Sequence, residues 1–156
     1  MKRLLPVTFL LFAACTDTGN TKSADGDTPV VTAADNFCFI HTDGTKAQDT
    51  TALKLFIKGD SVTGQLAYMP YEKDRATGNI TGTKKGEIIT ALWRYTMEGM
   101  DDSIMVSFKL TPTGALQKQP AYNAQTGTMY LPDSAAYSIK YVLIDCAKFP
   151  KVYYTE

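Results

Sequence analysis

Short runs of alternating apolar and polar residues dominate the chain from Asn36 onward. In the run 103–111 the apolar positions are Ile104, Val106, Phe108 and Leu110. A period of two residues places such side chains on one face of a β-strand. Gly and Asp-Gly turn signals recur about every eight to twelve residues, a spacing typical of small all-β domains. The sequence therefore predicts an all-β fold, a small antiparallel meander barrel or sandwich of about seven or eight strands.

The predicted strands can be placed individually. They are residues 36–42, 51–58, 61–69, 79–83, 87–96, 103–111, 115–118 and 137–146. Gly59-Asp60 marks the clearest hairpin, and Gly64 and Gly82 inside strands indicate bulges or sharp curvature. For 134–146 a helix capped by Asp133 or Ser134 is the alternative to a strand.

The first fifteen residues have the pattern of an export signal. A basic start, Met1-Lys2-Arg3, precedes an apolar run of eleven residues from Leu4 to Ala14, and Cys15 follows at once. This order of segments is typical of secretory signal peptides. The run is too short for a membrane-spanning helix, which needs about 20 residues. We therefore expect residues 1–14 to be a signal peptide.

The segment Leu11-Phe12-Ala13-Ala14-Cys15 resembles the lipobox of bacterial type II signal peptides, although Phe12 replaces the usual Leu. The resemblance implies that the Cys15 thiol receives a diacylglycerol and that the peptide before it is removed. Two or more acyl chains, such as palmitate, hold a protein stably on a membrane. We therefore expect a lipid-anchored envelope protein, at the outer membrane of a Gram-negative bacterium and facing the periplasm or the surface. The alternative is an ordinary secretory signal with Cys15 incidental.

Residues 15–35 are predicted to comprise the lipidated Cys15 and a flexible tether. They are rich in Thr, Asp, Gly, Ser and Ala and contain no aromatic residue. Such a composition buries too little apolar surface to offset chain entropy. Residues 36–156 are then expected to form a single β domain.

With Cys15 lipidated, two cysteines remain, Cys38 in the first predicted strand and Cys146 at the end of the last. Disulfides persist in the oxidising compartments to which exported proteins are delivered. The count then predicts a Cys38–Cys146 disulfide that pins the first strand to the last, with two buried free thiols as the alternative.

The chemistry-bearing residues give little support to an enzyme. A Ser–His–Asp site around the single histidine, His41, is conceivable with Asp43 or Asp49, but a hydrogen-bonded strand-end histidine is the more ordinary interpretation. Glu98, Asp101 and Asp102 lack the spacing of a calcium loop, and no Cys-x-x-Cys motif is present. The formal net charge of zero offers no basic surplus for nucleic acid. We expect no enzyme, no metal, no cofactor and no nucleic-acid partner.

Aromatic residues on neighbouring predicted strands are more suggestive. Trp93, Tyr95 and Tyr68, with Tyr71 and Phe108 nearby, are candidates for a barrel mouth or groove that binds a small apolar or sugar-like ligand. Ordinary core and cross-strand packing is the alternative. Trp93 and Tyr95 share one face of their predicted strand. If that face points into the fold, Trp93 belongs to the core; if the opposite face does, Trp93 is exposed. The sequence leaves this open.

Beyond the lipobox, the body resembles small β-rich lipoproteins of Gram-negative bacteria. It is also similar to the envelope inhibitors of c-type lysozyme, which place a cysteine after an aromatic residue in the first strand, as Phe37-Cys38 does. Their inhibitory loop has no counterpart here. The expected function is therefore binding of a small ligand or an envelope partner, with a protein inhibitor or assembly factor as the alternative.

Overall fold

The computed structural model describes residues 35–150. The signal peptide, Cys15 and most of the tether predicted above lie outside the described residues. The strands are, in chain order, β1 (Asp35–Asp43), β2 (Asp49–Lys58), β3 (Ser61–Met69), β4 (Ala76–Lys85), β5 (Ile88–Met97), β6 (Met100–Thr111), β7 (Gly114–Lys118), β8 (Ala121–Asn123), β9 (Thr128–Tyr130) and β10 (Tyr137–Ile144). A short 3-10 helix, Cys146–Lys148, follows β10.

Eight of these strands form one closed antiparallel barrel. Their order around the barrel is β1-β10-β7-β6-β5-β4-β3-β2, so each strand pairs with its neighbours in the meander. The sheet closes where β1 meets β10, with Cys38 opposite Ile144 and Ile40 opposite Val142. The prediction of a small all-β fold of seven or eight strands is confirmed, and the barrel rather than the sandwich is the form it takes.

Two parts of the last third refine the prediction. Residues 137–144 form a strand, as favoured over the helix, but the strand ends at Ile144 and Cys146 lies in the 3-10 helix. The irregular stretch before it contains a small hairpin of β8 and β9, paired from Ala121–Tyr130 to Asn123–Thr128. This hairpin lies between β7 and β10 in the sequence and forms a separate two-stranded sheet, while β7 and β10 pair directly in the barrel.

The alternating residues fill the barrel interior as the sequence predicts. The largest fully buried side chains include those of Phe39, Leu53, Leu55, Leu66, Ile80, Ile89 and Phe108. Ile57, Val62 and Ile89 lie close to the turns that connect β2 to β3 and β4 to β5. The end of the barrel that carries these turns is therefore packed with apolar side chains.

Glycines on the inner faces of β3 and β4 permit sharp curvature. A Cβ atom at Gly64 would overlap the carbonyl oxygen of Lys54, and one at Gly82 would overlap that of Thr90. The pairing of β3 and β4 with their neighbours runs without a register shift. Of the two alternatives for Gly64 and Gly82, the bulge is therefore wrong, because none interrupts these strands.

The predicted disulfide is present between Cys38 and Cys146, whose Cα atoms are 5.2 Å apart. Cys38 lies on the outer face of β1, in a small apolar cluster with Ala52, Ala67, Met69 and Phe149. The bridge thus fastens the 3-10 helix and Phe149 against the outside of the barrel. It encloses 108 residues of sequence, and nearly the whole barrel lies within the loop.

Candidate functional site

A cavity of about 450 Å³ opens at the end of the barrel opposite the packed turns. Because neighbouring strands are antiparallel, the C-terminal ends of β1, β3, β5 and β7 meet the N-terminal ends of β2, β4, β6 and β10 there. Eight-stranded barrels are just wide enough to be filled by side chains or to hold one small ligand. Here side chains fill one end of the barrel, and the other end has space for a small ligand.

Trp93, Tyr95 and Tyr68, the three main aromatic candidates, line this cavity. Trp93 and Tyr95 are stacked, with ring centroids 4.2 Å apart and an interplanar angle of 28°. Tyr68, on β3, is 44% exposed and also contributes to the wall. Trp93 therefore faces inward, where its ring packs against the apolar core and borders the cavity at once.

Two other members of the aromatic set lie elsewhere. Phe108 is fully buried in the core, and Tyr71 is exposed in the loop between β3 and β4. Neither contributes to the cavity wall. The wider aromatic grouping thus divides into core, loop and cavity residues.

The Tyr95 hydroxyl donates a hydrogen bond to Asp102 Oδ2 at 3.1 Å. Desolvation by burial, and then the neighbouring Asp102 carboxylate, raise the pKa of Tyr95 above its ordinary value. Asp101 accepts a hydrogen bond of 2.6 Å from the Thr96 hydroxyl. Among residues 35–150 no three His, Cys, Asp or Glu side chains are arranged to hold a metal ion.

A buried polar pair forms another part of the wall. The Tyr141 hydroxyl donates to Gln117 Oε1 at 2.6 Å, and both residues are buried. Burial strongly raises the pKa of Tyr141, since the phenolate would lose its hydration. The tyrosine is therefore held neutral and the pair fixes β10 against β7 beneath the cavity.

His41 lies beside this pair, with its ring centroid 5.5 Å from that of Tyr141. Its Nδ1 is 2.8 Å from the backbone carbonyl oxygen of Lys140. Because a carbonyl can only accept, Nδ1 carries the proton, and in the neutral ring Nε2 is an acceptor. The cavity wall contains no serine or cysteine that could act as a nucleophile with His41.

Several wall residues were not singled out from the sequence as ligand-binding candidates. They include Tyr141 and Gln117, and also Met129 from the β8–β9 hairpin. The alternation of Ile139 and Tyr141 could have placed Tyr141 inward. The hairpin offered no such signal, because β8 and β9 have only three residues each.

Two small groups of basic residues lie away from this site. Lys84 and Lys85 end β4 at the packed end, and Lys73 and Arg75 lie in the loop between β3 and β4. None of the four lines the cavity.

No helix within residues 35–150 is long and apolar enough to cross a bilayer. The chain matches no family model, and no curated protein or solved structure is significantly similar to it. The functional interpretation therefore depends on the sequence, the barrel and the geometry of its cavity.

Proposed function

We propose that this protein is a non-enzymatic, lipid-anchored component of the bacterial cell envelope whose barrel binds one small ligand at its open end. The observation that carries the binding proposal is the cavity of about 450 Å³ around Trp93, Tyr95 and Tyr68. Small-molecule sites are typically clefts of about 300–1,000 Å³ with apolar and aromatic walls and a few polar groups. The cavity has this size and this composition.

Two features of His41 support binding over catalysis. Its Nδ1–H is engaged by the Lys140 carbonyl, and the surrounding wall supplies no serine or cysteine. A nucleophilic mechanism needs a hydroxyl or thiol within hydrogen-bond reach of the base. The wall does contain the Thr51 hydroxyl, but among residues 35–150 no hydrogen bond joins it to His41. The arrangement therefore favours a structural or ligand-contacting role for this histidine.

The second candidate function is binding of another envelope protein, on which this protein would act as an inhibitor or assembly factor. The β8–β9 hairpin favours it, because Tyr122 and Tyr130 are 62% and 48% exposed there. Exposed tyrosines are common at protein interfaces. The cavity beside them favours the small ligand more strongly.

The ligand-binding proposal can be tested with the neutral fluorescent probe N-phenyl-1-naphthylamine. Trp93 is the only tryptophan, so energy transfer to the probe reports binding near the cavity. Ala76→Phe places a ring in the cavity wall, where Ala76 is 4% exposed, and should weaken binding by about tenfold or more. Thr90→Phe, on the exposed outer face of β5, is the matched control and should bind normally.

Saturable one-to-one binding that is lost only in Ala76→Phe supports the proposal. No saturable binding to the wild-type protein, or equal binding by both variants, contradicts it. Circular dichroism and thermal midpoints establish that both variants are folded.

The anchoring proposal is tested separately at Cys15. Cys15→Ala should move the protein from the membrane fraction to the soluble fraction, or leave the precursor uncut, because no thiol is present to accept lipid. Thr21→Ala, in the tether, is the control and should remain in the membrane. Unchanged membrane recovery and processing of Cys15→Ala would argue against lipidation.

A further inference from the structure

The charged groups of the cavity wall have one sign. Its acidic side chains are Asp43 and Asp49, and the wall includes neither lysine nor arginine. His41 is the only wall residue able to carry a positive charge. An anionic ligand would therefore find no fixed cation there.

The two aspartates are directly opposite each other. Asp43 ends β1 and Asp49 begins β2, and the two are paired in register. Like charges at opposed positions of an antiparallel pair are destabilising. The only ion pair among residues 35–150 joins Lys109 to Glu87 at the packed end, so neither aspartate has a described basic partner within 4.0 Å.

Each of these carboxylates also retains an oxygen without a hydrogen bond among the described residues. Asp43 Oδ1 accepts from the Gly44 backbone N–H at 2.7 Å, and Asp49 Oδ1 accepts from that of Tyr71 at 2.8 Å. These bonds fix the orientation of the carboxylates. The second oxygen of each is left to interact with solvent or a ligand.

The strongest donors of the wall are already used within the protein. The Trp93 indole N–H donates to the Leu66 carbonyl at 3.1 Å, and the hydroxyls of Tyr95 and Tyr141 donate to Asp102 and Gln117. His41 donates through Nδ1 to Lys140. The wall therefore keeps acceptors and aromatic surface, while its remaining side-chain donors are mainly amides and the Tyr68 hydroxyl.

An aromatic face is the negative part of the ring quadrupole and attracts cations, most strongly for tryptophan. We propose that the cavity selects an organic cation, a small molecule with an ammonium group on an apolar body. The ammonium group would lie near Asp43 and Asp49, and the apolar body would contact Trp93 and Tyr95. This inference rests on the ligand-binding function proposed above.

The test uses three probes that share one apolar body and differ in charge. They are 3-phenylpropylammonium, 3-phenylpropan-1-ol and 3-phenylpropanoate, titrated against the wild-type protein by calorimetry and Trp93 fluorescence. We expect the cation to bind about tenfold more tightly than the alcohol, and the carboxylate to bind weakest. Added salt should weaken binding of the cation but not of the alcohol, because salt screens charge interactions.

Asparagine variants separate charge from shape. Asp43→Asn and Asp49→Asn keep the oxygen that accepts from the backbone but remove the charge. Each should lower affinity for the cation and leave that for the alcohol unchanged, and each should slightly raise the thermal midpoint without ligand. Asp60→Asn, in the turn at the packed end, is the matched control and should change neither affinity.

The outcomes distinguish the two proposals. Equal affinity for cation and alcohol, or tightest binding of the carboxylate, overturns the cation inference while ligand binding stands. Binding of N-phenyl-1-naphthylamine without binding of any of the three probes also overturns the cation inference alone. Failure of all four probes overturns both.

Discussion

The indole nitrogen of Trp93 donates to the backbone carbonyl oxygen of Leu66 at 3.1 Å, although their strands are not neighbours. Strand β4 lies between β3 and β5, and Gly78 is its residue between Leu66 and Tyr95. A position without a side chain leaves room for the indole to reach across β4. The bond fixes the ring that borders the cavity.

Trp93→Phe should therefore destabilise the barrel by about 1–2 kcal/mol, because it removes this hydrogen bond and part of the buried ring. Tyr95→Phe removes only a bond to the exposed Asp102 and should cost about 0.5 kcal/mol. Urea unfolding followed by circular dichroism measures both. Equal costs would show that the bond to Leu66 has no special role.

Gly78→Ala should be among the most damaging single-methyl changes in the barrel. Its Cβ would overlap the Arg94 carbonyl oxygen and lie 2.5 Å from the Tyr95 Cα, so the strands would have to separate. We expect a loss of about 3 kcal/mol or failure to fold.

Gly86→Ala is the comparison for this change, because a Cβ there meets nothing within 4 Å. Its φ of 58° makes alanine cost about 1–2 kcal/mol through backbone strain alone. If the two variants unfold at the same urea concentration, the prediction that β4 and β5 are too close at Gly78 for a side chain is wrong.

Removal of the Cys38–Cys146 bridge should lower stability substantially. For a loop of 108 residues the chain-entropy model gives about 4–5 kcal/mol, as an upper guide. The double variant Cys38→Ser with Cys146→Ser should melt well below the oxidised wild type in a form lacking residues 1–15. Dithiothreitol should lower the thermal midpoint of the wild type and leave that of the double variant unchanged. If the wild-type midpoint is the same with and without dithiothreitol, the bridge does not stabilise the barrel.

Because of Tyr141, the free energy of unfolding should fall as the pH rises into the alkaline range. Burial raises its pKa in the folded state above the value of about 10 that an unfolded tyrosine has. The unfolded chain then loses this proton first, so the contribution is present below pH 10 and is lost as the pH rises further.

Tyr141→Phe cannot ionise, and it leaves Gln117 Oε1 without its donor, which should cost about 1–2 kcal/mol at pH 7. The advantage of the wild type over this variant should shrink by about 1.4 kcal/mol between pH 9 and pH 11. The exposed Tyr122→Phe is the control, and its difference from wild type should stay constant. An advantage of Tyr141 that does not shrink would contradict a buried neutral phenol.

The strands could be predicted because local patterns determine them, and the disulfide could be predicted from the number of cysteines. Alternation in 103–111 and the turn at Gly59-Asp60 specify strands whatever lies beside them. Once Cys15 was predicted to be lipidated, only two cysteines remained, and their pairing followed.

The cavity could not be predicted to the same extent, because it depends on pairings between distant segments. Asp43 and Asp49 face each other only through the β1–β2 register, and Tyr141 meets Gln117 only after β10 pairs with β7. Whether Trp93 faced inward was equally undetermined, since Leu92 on the other face is also apolar. A cavity is space left unfilled by side chains, and no single segment encodes it.

The chain enters β1 at Asp35, beside the packed turns, and reaches the open end at Asp43, about 26 Å farther along the strand at 3.3 Å per residue. The N-terminal end of β1 and the entrance of the cavity thus lie at opposite ends of the barrel. A sensor surface coupled through that terminus should consequently retain the full binding capacity of the protein in solution.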